Sequence, residues 1–143
     1  MKLVIACDHG GRRLKKAVSL YLREKGHELK DLGVAEDVER ADYPDYARPM
    51  AQAVAAGEYD LGILICGTGT GMAMVANKVP GARAANCFNE FMARTARGHN
   101  DANVLTLGER VIGEGLALAI VEAFLEASFE GGRHRERLDK FPD

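Results

Sequence analysis

The sequence predicts a single-domain α/β fold: a doubly wound, Rossmann-like parallel five-stranded sheet with helices on both faces and a C-terminal helical arm. Three observations carry this prediction. Strand-length apolar runs recur without the polar alternation of a half-exposed sheet, as in strands buried on both faces. Amphipathic helical patterns separate the runs, which requires right-handed crossovers and a parallel sheet. A glycine-rich loop joins one run to a helical stretch, and ligands of such folds gather outside the carboxyl ends of the strands.

In chain order, the runs at 3–6, 61–65, 82–85 and 104–107 are strands, with a weaker strand near 28–32. Leu14, Ala17, Val18, Tyr21 and Leu22 share one helical face that stops at Gly26. Tyr46, Ala47, Met50, Ala51 and Val54 do the same before Gly57, a helical stretch covers 72–78, and another spans 116–124. The 143 residues fit one domain, 1–143, in which 129–143 is the arm. The arm's Glu130-Gly131-Gly132-Arg133-His134-Arg135-Glu136-Arg137 is glycine-hinged and basic, so it reads either as a segment leaving the core or as a solvated tail.

Apolar residues at 47% and charged residues at 28% are ordinary for a soluble globular chain and far from the disordered range. A net charge of −2 argues against nucleic-acid or anionic-membrane partners, which need a strongly basic surface. Met1 to Ala6 runs straight into the charged stretch from Asp8 to Lys16, without the length and order of a signal peptide. Three cysteines, Cys7, Cys66 and Cys87, form no CxxC pair and fit poorly with a disulfide framework, so a reducing cytoplasm is expected. Each follows an apolar run, so each has a plain reading as a small buried residue at a strand end.

Cys66-Gly67-Thr68-Gly69-Thr70-Gly71 is the sharpest local signal. A strand, a glycine loop and a helix in succession make an anion trap: amides turn inward and the helix start adds about half a positive charge. The spacing is GxGxG rather than the dinucleotide GxGxxG, and no Lys-Ser/Thr pair closes a Walker loop, because Met72 and Ala73 follow Gly71. Amides and a helix N-terminus favour thiolate over thiol, which makes Cys66 a usable base, and the same amides can hold an oxyanion. Thr68 and Thr70 add hydroxyl donors. Base plus oxyanion hole suits enolisation beside a carbonyl.

Asp8-His9-Gly10-Gly11 follows the first strand and reaches the same sheet edge, where Asp8 either caps the next helix or faces a ligand and His9 can meet a phosphate. Arg133 and Arg137 are four apart and share a helical face, suited to clamping a phosphate, with Arg110 at the carboxyl edge able to join them. Each arginine also has a plain reading as a surface charge. His99 and Asn100 precede the last strand and so belong at the opposite edge, about 16 Å from Cys66 for a five-residue strand. They are either structural or part of a site completed by a second subunit.

These residues resemble the ribose-5-phosphate isomerase B family, which includes the galactose-6-phosphate isomerase subunits. The likeness covers nearly the whole chain: Cys7-Asp8-His9, Asp42-Tyr43-Pro44, Gly62 to Gly69, Ala76-Asn77-Lys78, Gly98-His99-Asn100-Asp101 and Glu130 to His134 carry it. The resemblance implies an aldose–ketose isomerase in which Cys66 shuttles a proton between C1 and C2, with His99 opening the furanose ring. It implies that Gly67, Thr68, Gly69, Thr70 and Gly71 hold the enediolate, that Asp8 and Tyr43 contact the sugar, and that Asn100 fixes the intermediate. His9, Arg110, Arg133 and Arg137 would bind phosphate. Homodimers or dimers of dimers with sites between subunits are implied as well. Relatives that use a glutamate base place it where Met72 stands, so Cys66 keeps the role here, and Thr70 replaces an apolar residue common in relatives.

No metal and no cofactor is expected, because the proton shuttle moves no electron off the substrate. A six-carbon sugar phosphate such as allose 6-phosphate is the alternative substrate. A non-enzymatic sugar-phosphate or nucleotide binding module is the alternative from another class.

Overall fold

The computed structural model, which describes residues 1–142, turns each apolar run into a strand. β1 (Lys2–Cys7) runs through a 3₁₀ turn (His9–Gly11) into α1 (Arg12–Glu24), and β2 (Glu28–Asp31) is followed by α2 (Tyr43–Ala55). β3 (Leu61–Cys66) precedes α3 (Thr70–Ala76), and β4 (Ala84–Asn86) precedes α4 (Glu90–Gly98). β5 (Val104–Gly108) leads to α5 (Glu114–Glu126) and the short α6 (Arg133–Leu138). All pairings are parallel and the strand order is β2-β1-β3-β5-β4.

Strand alternation divides the core in two. Leu3, Ile5, Cys7, Ile63, Ile65, Leu105 and Leu107 face α1, α4 and α5, while Val4, Ala6, Leu64, Cys66 and Val104 face α2 and α3. Every residue of β3 and β5 is buried, as the unbroken apolar runs require. The polar β2 and the short β4 occupy the edges. Among the described residues, no helix is long and apolar enough to cross a membrane.

Three elements differ from the sequence pattern. β4 spans Ala84–Asn86 rather than 82–85, because Ala82 donates its N–H to the Val79 carbonyl at 3.0 Å in the turn made by Pro80 and Gly81. α3 begins at Thr70, inside the glycine loop, and ends at Ala76 instead of 78. α4 has no counterpart in the apolar pattern: its buried face is Ala93, Ala96 and Gly98, side chains too small to register as a stripe. Its start is marked instead by Asn89, whose side chain accepts from the Met92 N–H at 2.8 Å.

The chain winds outward from β1 in two directions, to β2 on one side and β3 on the other. The carboxyl ends of β1 and β3 therefore flank the crevice where a doubly wound sheet binds its ligand. Asp8 and Gly67 begin the two loops that leave those ends.

Candidate active site

At the end of β3 the Cys66 side chain is 5% exposed, and its Sγ accepts the Gly69 N–H at 3.1 Å. An amide of the loop is thus directed at a thiol buried on the α2 and α3 side of the sheet. Gly69 makes the turn possible by adopting φ +80°, a left-handed conformation that side chains disfavour. A Cβ there would also lie 2.4 Å from Asn86 Oδ1. The opposing Gly108 on β5 pairs with Cys66, and a Cβ on it would come within 2.6 Å of the Thr68 carbonyl. The loop therefore rests directly on the backbone of β5.

Asn86, which the sequence pattern does not single out, braces this loop from β4. Its Nδ2 donates to the Thr68 carbonyl at 3.3 Å and to Thr70 Oγ1 at 3.4 Å, while its Oδ1 accepts from the buried Thr106 hydroxyl at 3.1 Å. The only sequence signal was an asparagine where a short strand meets the carboxyl edge. Thr68 Oγ1 accepts the Thr70 N–H at 3.2 Å, so its own hydroxyl proton remains available to a ligand.

The loop after β1 closes one wall. Asp8 is 7% exposed, and its Oδ1 accepts the Gly10 N–H at 2.8 Å, capping the 3₁₀ turn. Asp8 thus caps the short turn rather than α1, whose N-cap is Gly11 with no side-chain cap, and one carboxylate oxygen is left for a hydroxyl. Gly10 packs on Gly67, where a Cβ would sit 3.2 Å from the Gly67 nitrogen. His9 Nδ1 lies 3.1 Å from the Ala41 carbonyl and 3.0 Å from its N–H, tying the loop to the segment ahead of α2.

Tyr43 opens α2 with its ring over Gly71, where a Cβ would meet ring carbons at 2.8 Å. The exposed Arg110 follows β5 with its side chain beside Gly67. Asp8, His9, Tyr43, Cys66, Gly67, Thr68, Gly69, Thr70, Gly71 and Arg110 therefore share the carboxyl edge.

His99, Asn100, Arg133 and Arg137 do not. Gly108 pairs with Cys66 but Val104 pairs with Gly62, so about 13 Å of strand separates Cys66 from the edge where the His99 turn lies. The arm does not leave the domain within one chain: Glu130 donates its N–H to the Gly98 carbonyl at 3.0 Å, and α6 seats His134 and Leu138. Arg133 and Arg137 remain exposed on the outer face of α6, so Arg110 does not join them within one chain. The candidate residues form two groups at opposite edges of the sheet.

The second group holds two residues that were legible only as parts of a motif, Glu130 and His134. The His99 and His134 rings stack with centroids 4.2 Å apart at 9°, and the Glu130 carboxylate lies 3.7 Å from His99 Nε2 and 3.3 Å from His134 Nε2. Rings in separate parallel planes cannot both aim a nitrogen lone pair at one ion. The trio is therefore a packed polar cluster rather than a preformed metal centre.

The other two cysteines, Cys7 and Cys87, lie in the core away from this loop. Cys7 is fully buried and Cys87 is 1% exposed, and burial pushes both thiols from 9.0 up to about 11. A thiol raised on folding stabilises the protein fully below its unfolded value, and that contribution is lost as pH climbs through the folded one. The free energy of unfolding by urea should therefore fall between pH 9 and 11 by roughly 2 to 3 kcal/mol for each thiol. A Cys7→Ala/Cys87→Ala variant should lose most of that slope.

The Ribose/Galactose Isomerase family matches residues 3–141. Ribose-5-phosphate isomerase B of Escherichia coli is 49% identical over 138 residues, which cover 96% of this chain and 92% of that protein. The solved structure of ribose-5-phosphate isomerase B from Clostridium thermocellum is similar with a TM-score of 0.95 and 53% identity, covering 98% of this chain and 94% of that one. That of the Mycoplasma genitalium protein with bound ribulose-5-phosphate has a TM-score of 0.92 and 47% identity, over 96% and 91% of the two chains. With a family match spanning nearly every residue and a crevice built as described, the chain belongs to the ribose/galactose isomerase family.

Proposed function

We propose that the chain interconverts ribose 5-phosphate and ribulose 5-phosphate through a cis-enediolate. It works in the cytoplasm as a homodimer or dimer of dimers whose sites are shared between subunits. One observation carries the reading: Cys66 Sγ stands at the winding reversal inside a loop whose Gly69 amide points at it, 3.1 Å away. The names and the bound ligand of the relatives support the sugar, and membership in an isomerase family argues against a mere binding module.

In the reaction, His99 of the partner subunit opens the furanose: the C1–O4 bond breaks, O4 gains a proton and the O1 hydroxyl loses one. The Cys66 thiolate then removes the C2 proton and the electron pair moves onto O1. The amides of Gly67 to Gly71 hold the resulting oxyanion, while Asp8 and Tyr43 contact the sugar hydroxyls and Asn100 of the partner subunit steadies the intermediate. Cys66 returns its proton to C1, and a proton passes from O2 to O1, a transfer that the free Thr68 hydroxyl suits. Substrate and product have the same oxidation level, so the atoms balance without a redox partner.

Comparing kcat/KM for ribose 5-phosphate, allose 6-phosphate and free ribose tests this reading. A clear preference for ribose 5-phosphate is expected. A preference for allose 6-phosphate would move the substrate to six carbons, and no turnover of any of the three would overturn the proposal.

The phosphate sits between His9 and Arg110 of one chain and the Arg133 and Arg137 pair of the other. Charge-assisted hydrogen bonds of this type contribute about 1.5 to 3 kcal/mol each, so Arg133→Ala or Arg137→Ala should raise KM for ribose 5-phosphate about tenfold to hundredfold. KM for free ribose should hardly move, and equal effects on the two sugars would sink the clamp.

A further inference from the structure

The turn that carries His99 and Asn100 ends on Asp101, the one described residue other than glycine with positive φ, at 45°. Aspartate tolerates this left-handed region better than most side chains, and such residues persist where their surroundings hold them. Asp101 is held through both its backbone and its carboxylate. Its N–H donates to the Arg97 carbonyl at 3.2 Å, and its own carbonyl accepts Arg83 Nε at 2.8 Å. Its Oδ1 takes Arg97 Nη1 at 3.0 Å, and its Oδ2 lies 3.1 Å from Arg83 Nη2 and 3.7 Å from Arg135 Nη2.

These three arginines come from different elements: the last turn of α4, the lead into β4, and α6. Arg97 is itself fixed, donating to the Ala102 carbonyl at 2.7 Å with its guanidinium 5.9 Å from the centre of the Phe124 ring. Arg135 lies between Arg133 and Arg137 and packs over Phe129 at 4.8 Å. The Asp101 carboxylate thus ties the His99 turn to the helix that presents the two outer arginines.

We propose that Asp101 is a positioning residue of the reaction, clamping the turn of His99 and Asn100 in register with α6 through Arg83, Arg97 and Arg135. The proposal rests on the reading of His99 and Asn100 as site residues. Partly exposed ion pairs contribute little to stability, so the clamp is not needed to hold the fold. A displacement of about 1 Å in a reacting group, by contrast, costs on the order of a hundredfold in rate. Geometry is where this network acts.

Asp101→Asn keeps the shape and the tolerance of left-handed backbone but removes the charge. Its kcat on ribose 5-phosphate should fall about tenfold to hundredfold, with a modest change in melting temperature. Asp101→Gly suits the backbone but has no carboxylate, and it should lose as much. Wild-type kcat in either variant would overturn the clamp.

Placement separates positioning from general destabilisation. A heterodimer of Cys66→Ala and His99→Ala chains keeps one intact site, which takes its histidine from the Cys66→Ala chain. Asp101→Asn added to that chain should abolish most of the remaining activity, whereas the same change on the His99→Ala chain should spare it. Equal losses from the two placements would overturn the proposal. A heterodimer already inactive without the Asp101 change would instead refute site sharing, and the kcat of the Asp101 homodimers then decides the clamp alone.

Discussion

Cys66→Ala should lower kcat on ribose 5-phosphate by about 10² to 10⁴-fold, the usual contribution of a positioned base. KM should change little, because the phosphate and hydroxyl contacts come from other residues. The fold should tolerate the change: alanine keeps the Cβ, and one hydrogen bond, from the Gly69 N–H, is lost. Cys66→Ser should not rescue turnover, since an alcohol is far harder to deprotonate at neutral pH than a thiol. Circular dichroism and steady-state assays of the two variants decide the matter. Near wild-type kcat in Cys66→Ala would remove the proposed base.

Mixing subunits should give the second large effect. Cys66→Ala and His99→Ala homodimers should each be nearly inactive, while a doubly tagged heterodimer of the two should recover about half of wild-type activity, since one of its two symmetric sites is intact. The sheet register motivates this prediction, because β5 places the His99 turn beyond the edge opposite Cys66 within one chain. A heterodimer as inactive as its parents would show that the two groups never meet.

Much of the first group was legible in the sequence because it lies within one βα unit. Cys66 to Gly71 is contiguous, and its placement needs only a strand, a glycine turn and a helix start, all local features. Asp8 and His9 joined it by a topological rule rather than by spacing. The second group was less legible. His99 and Asn100 were placed at the correct edge by strand direction alone, but nothing local showed that α6 folds back to stack His134 on His99. The arm's glycines, Gly131 and Gly132, take φ of 70° and 56°, and a chain can leave such a hinge in many directions until burial of His134 and Leu138 selects one.

The sequence by itself determined the fold class, the buried parallel strands and the glycine loop that follows Cys66, because periodicity and glycine spacing act over a few residues. Tertiary structure alone decided three things: that Asn86 braces the loop from another strand, that Asp101 gathers arginines from three elements, and that the site residues divide between two edges. Each depends on contacts between residues distant in the chain, whose meeting is set by the packing of layers and not by any local preference of the residues involved.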